Sequence, residues 1–82
     1  LRYYINMNKS VEEEYGKAFL FDPERCKEEN DEIEVLNEAD PRDSGKTYIF
    51  PESFLLEISE DDYREALVSL GATEKILEKY SK

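Results

Sequence analysis

Three features of the chain invite a chemical reading: Gly45-Lys46-Thr47, the lone Cys26, and a run of carboxylates from Glu28 to Asp43. Gly-Lys-Thr is how a phosphate-binding loop ends, with backbone N–H groups cradling phosphate and the Lys reaching its outer oxygens. Such a loop needs a first Gly at position 40, which is Asp here and would repel phosphate. It must also open a helix, so that phosphate meets a helix N-terminus. Residues Thr47 to Phe50 are β-branched and aromatic, and Pro51 closes them. A strand is expected there, and residues 40–45 read as the turn before it, opened by Asp40-Pro41 and closed by Gly45.

The same stretch fails as an EF-hand calcium loop. With Asp40 first and Gly45 sixth, the third position is the cation Arg42 and the twelfth is Pro51 rather than Glu. Two acidic clusters remain as weak divalent-cation candidates: Glu28, Glu29, Asp31 and Glu32, or Glu60, Asp61 and Asp62. The second stands where a helix start favours anions.

Catalytic chemistry finds few groups to use. The chain has no His, which removes the commonest general base and the Ser-His and Cys-His pairs. Carboxylate-pair glycoside hydrolysis needs a cleft that 82 residues scarcely build. Cys26 has Arg25 and Lys27 beside it, which favour the thiolate, and Glu24, Glu28 and Glu29 nearby, which oppose it. A non-catalytic protein with no cofactor and no metal is expected.

Charge is the strongest compositional fact. The net charge is −10, and residues 12–62 carry eighteen acids against five bases. The ends are slightly basic, so the acidity is concentrated in the middle. Direct nucleic-acid or membrane binding draws on basic patches, and both are disfavoured. A basic protein surface is the natural partner. Glu28, Glu29, Asp31, Glu32, Glu34, Glu38, Asp40 and Asp43 are the residues expected to meet it. In the sharpest form of this reading they imitate the phosphates of a nucleic acid, as small acidic inhibitors do, and the partner is a nucleic-acid-binding protein. The plain alternative is a solvated strand edge, charged against edge-to-edge pairing.

The positioning elements follow from period and caps. Leu1 to Met7 alternates as a strand, and Ser10 to Glu13 has capping-box spacing for a short helix ending at Gly16. Lys17 to Phe21 reads as a strand, and Asp22-Pro23 opens a polar turn followed by a loop. Glu32 to Asn37 is a half-exposed strand with Ile33 and Val35 inward. Lys46 to Phe50 and Ser53 to Ile58 are further strands, the second with Phe54, Leu56 and Ile58 on one face. Ser59 caps a helix whose stripe is Tyr63, Ala66, Leu67 and Leu70. Thr73 is expected to cap a second one, bearing Ile76, Leu77 and Tyr80 on one side and Lys75, Lys79 and Lys82 near its end.

One domain over residues 1–82 is expected, of α+β class: a small antiparallel sheet of four or five strands with two short C-terminal helices. The strands ending in "KTYIFPESFLLEI" resemble the end of a small SH3-like barrel, which implies a sheet of that barrel form. One Cys, no apolar leader and no spanning segment point to a soluble, cytoplasmic protein. Two further functions fit the pattern: a structural or regulatory subunit docking through the C-terminal helices, and the weak cation binder above. Acidic-surface binding and apolar docking separate by salt, which weakens a charge-driven complex and leaves apolar docking intact.

Overall fold

A computed structural model describes residues 1–39, 42, 46–69 and 71–81. The expectations placed on Asp40, Asp43, Gly45, Leu70 and Lys82 fall outside them. The fold is α+β: a six-stranded antiparallel sheet followed by two helices. The strands are β1 (Arg2–Asn6), β2 (Ala18–Phe21), β3 (Glu28–Glu29), β4 (Glu32–Leu36), β5 (Thr47–Pro51) and β6 (Leu55–Ile58). The helices are α1 (Glu60–Val68) and α2 (Ala72–Tyr80).

β1 lies between β2 and β6, so Tyr3 stands opposite both Leu20 and Ile58. β4 pairs along its whole length with β5, and its other edge is shared by β3 and the end of β2. No ladder joins β5 to β6 among the described residues; a single 3-10 turn, Glu52–Phe54, links them. Among the described residues the SH3-like barrel is therefore not closed, although the sheet curls enough for Phe19 of β2 to reach the rings of β5.

Alternation along these strands divides the core. On one side Tyr3 and Ile5 meet α1, with the Tyr3 and Tyr63 ring centroids 4.9 Å apart. On the other, Phe19 packs against the rings of Tyr48 and Phe50 at 5.8 and 5.1 Å, where Val35 and Ile33 face those same two residues across the ladder. The start of α1 is well capped: the Ser59 hydroxyl accepts from the Asp62 N–H, and Glu60, Asp61 and Asp62 fill the first turn.

Four local expectations are corrected. Residues 11–16 form turns rather than a helix: the Glu14 and Tyr15 N–H groups both bond the Val11 carbonyl, and Gly16, at φ +83°, gives its N–H to the Asn6 carbonyl. Where a loop was expected after the Asp22 turn, Glu28 and Glu29 pair as an extra strand. Pro51 leads into the 3-10 turn, which takes Phe54 out of β6; Leu55 and Ile58 are the buried residues of that strand. Finally, α2 begins at Ala72 after Gly71, so Thr73 lies inside it, and its hydroxyl donates to the Gly16 carbonyl at 3.2 Å.

That last contact makes Gly16 sensitive. A Cβ there would come within 3.2 Å of the Thr73 Cγ2, on a backbone that L-residues rarely adopt. Gly16→Ala is expected to cost about 1–3 kcal/mol, read as a lower urea midpoint with an unchanged slope.

Candidate functional site

The acidic residues do not form one face. β3 and β4 are joined by Asn30 and Asp31, both in left-handed backbone at φ 53° and 63°, the geometry of a tight two-residue hairpin turn. The turn sets the register: Glu29 faces Glu32, and Glu28 faces Ile33. Because side chains alternate, Glu29, Glu32 and Glu34 share the outer face, whereas Glu28 points to the other. Glu34 lies opposite Ile49 of β5, which is 63% exposed. Lys27, Glu29, Asn30, Glu32, Glu34 and Ile49 line a shallow groove of about 210 Å³. One cation among three carboxylates leaves that groove strongly negative. The Glu34 Oε1 also accepts the Lys27 backbone N–H at 3.1 Å, which fixes it at the groove wall.

Glu28 belongs to a different constellation. The Arg2 guanidinium bridges it through two nitrogens, at 3.2 and 3.3 Å, and lies over the Phe21 ring at 4.3 Å. The Arg2 hydrogen bond, with a second from Glu52, holds Glu28 below the usual carboxylate range. Glu52 in turn is raised, chiefly by its hydrogen bond to Glu28. Arg2 thus engages Glu28 on the inner side of the hairpin and holds it apart from the outer carboxylates.

Glu38 is removed from both groups. It accepts a hydrogen bond from the Tyr63 hydroxyl at 2.5 Å, tying the end of β4 to α1. Burial, followed by this bond, pushes the Tyr63 phenol far above its ordinary value. Asp31 occupies the turn, where its carbonyl accepts the Glu52 N–H at 2.8 Å. Of the eight acids expected to act together, the structure brings Glu29, Asp31, Glu32 and Glu34 to one edge. It sets Glu28 and Glu38 apart, and Asp40 and Asp43 lie outside the described residues. Among the described residues no three acids or Cys converge as metal ligands would.

Cys26 is buried in the core, which withdraws its thiol from the surface. It follows the Asp22 turn, in which its N–H bonds the Asp22 carbonyl at 2.7 Å. Sequence reasoning missed Ile49, Glu52 and Arg2. The alternation of Tyr48 and Phe50 around Ile49 was the pattern that could have exposed the first. Arg2 and Glu52 meet Glu28 only through the curl of the sheet, which leaves no mark in local spacing.

A second concavity, of about 740 Å³, opens between the turn at residues 13–18, the segment after β4 and both helices; Asn37, Ala18, Ala66 and Leu67 are among its walls. No helix among the described residues is long and apolar enough to cross a membrane. Compared with protein-family models, curated proteins and solved structures, the chain matches none.

Proposed function

We propose that this chain is a non-catalytic interaction module whose outer β3–β4 edge binds a basic surface of another protein. The observation that carries the reading is the pairing of Glu29 directly opposite Glu32. Like charges facing each other across a ladder destabilise a sheet, and a cation in the partner would relieve that repulsion. Exposed Ile49, across from Glu34 on β5, supplies an apolar contact at the flank of the patch. In the finer form of the proposal the carboxylates replace nucleic-acid phosphates. Glu32 and Glu34, two residues apart on one strand, stand about 6.7 Å apart and present a repeated negative charge, as a phosphate backbone does.

The test is affinity capture from native cell lysate with a salt gradient, using the wild-type chain and Glu29→Lys side by side. The variant turns a repulsive cross-strand pair into an attractive one. Its stability is expected to rise by about 0.2–1 kcal/mol, while affinity for a partner released at moderate salt falls at least about tenfold. Displacement of the captured partner by duplex DNA supports the nucleic-acid form. Equal retention of wild type and variant overturns the acidic-edge reading.

A second reading, docking through the C-terminal helices, draws on Val68 of α1, which is 85% exposed. It expects a partner held through high salt and lost in Val68→Asp.

A further inference from the structure

Asn37 stands just past β4 at the wall of the larger concavity and is only 8% exposed. Its Oδ1 accepts the Ala39 N–H at 3.1 Å, and that donor fixes which end of the amide is oxygen. The two N–H donors of its Nδ2 group have no partner among the described residues. The molecule holds a contrasting case in Asn6, whose Nδ2 is sealed in the interior without a partner. The Asn37 Nδ2 is not sealed in this way, and Asn37 lines the cleft. A nearly enclosed amide whose two donors have no partner among the described residues is a site for an acceptor.

The rest of the cleft narrows what brings that acceptor. A volume of about 740 Å³ suits a small organic molecule rather than one water. Ala18, Ala66 and Leu67 give an apolar wall of mostly short side chains, which admits a flat body. Of the charged side chains lining it, Lys17 is paired with Glu14 at 3.7 Å, so its charge is spent and selects no anion. The Glu74 carboxylate already accepts the Tyr15 hydroxyl at 3.0 Å. We propose that this cleft binds a small, uncharged, planar heterocycle, whose carbonyl or ring nitrogen accepts from the Asn37 amide while its ring lies against Ala18, Ala66 and Leu67. The cleft is independent of the acidic edge, which lies on another part of the sheet.

The test is titration of the whole ¹⁵N-labelled chain with 2-quinolone, a flat uncharged lactam, followed by amide chemical shifts. Saturable shifts are expected at the Asn37 side-chain NH₂ and at the backbone of Ala18, Ala66 and Leu67. Asn37→Asp keeps the oxygen that holds Ala39 and removes both donors, and it is expected to weaken binding about tenfold or more. Ala39→Phe fills the mouth of the cleft from an exposed position, so it decides the question if Asn37→Asp fails to fold. No saturable shift at millimolar probe, shifts centred elsewhere, or binding unchanged in Ala39→Phe each overturns the proposal.

Discussion

Phe19→Ala is expected to lose about 3–5 kcal/mol of stability. Phe19 is fully buried, and its ring meets both Tyr48 and Phe50 edge-on. Truncation removes apolar burial and leaves a void between β2 and β5. It also forfeits two aromatic pairs, each adding about 0.5–1.5 kcal/mol beyond area. A domain of 82 residues has a total stability of about 4–12 kcal/mol, so the variant stands near its unfolding threshold at room temperature. Urea unfolding measures it, with Ile49→Ala as the comparison: Ile49 is exposed, and its loss is expected to cost under about 0.5 kcal/mol. Equal losses at the two positions would show that the curl of the sheet does not close on Phe19.

The second large effect belongs to Asp62, where the two helices are joined. Asp62 is buried in the first turn of α1. Its Oδ2 accepts from the Tyr80 hydroxyl at 2.7 Å and from Lys79 at 3.2 Å. That Tyr80 hydroxyl also accepts the Ser59 N–H at 2.9 Å, so one phenol binds both the start of α1 and its side chain. The Tyr80 bond above all, with Lys79 and Ser59 adding, holds Asp62 below the ordinary carboxylate range against the opposing effect of burial. A depressed carboxyl stabilises the fold fully above its unfolded value, near pH 4. That contribution is lost as pH falls through the lower folded value. Asp62→Asn is expected to cost about 1.5–3 kcal/mol at neutral pH, mostly through the part-buried Tyr80 bond, since Lys79 is largely exposed. Below the folded value the gap between variant and wild type is expected to narrow, read from urea midpoints across an acid series. A gap that stays constant with pH would assign the loss to packing rather than charge.

The parts of the fold that were legible in sequence are those with an apolar period. Ile33 and Val35 against Glu32 and Glu34 fixed the facing of β4, and Ser59 followed by three acids marked the start of α1. β3 was illegible because two adjacent glutamates offer no apolar side to place. The helix expected at residues 11–16 had a good start, but Gly16 serves the β1–β2 corner rather than a helix terminus. Acidity was visible at once; its division was not. Glu28 and Glu29 are neighbours in sequence and stand on opposite faces, and only the register set by Asn30 and Asp31 decides which way each points. Asn37 carries no sequence mark, since the lack of a partner for its donors among the described residues is a property of packing alone.

The place of β1 between β2 and β6 has a consequence for synthesis. Its ladder to β2 closes early, through the turn at residues 7–17, yet its other edge waits for β6, with Tyr3 pairing Ile58 across most of the chain. A growing chain on the ribosome therefore carries one bare, apolar strand edge until Leu55–Ile58 have emerged. A pause in translation before Leu55 would prolong that exposure, and chains released there would meet each other edge to edge rather than fold.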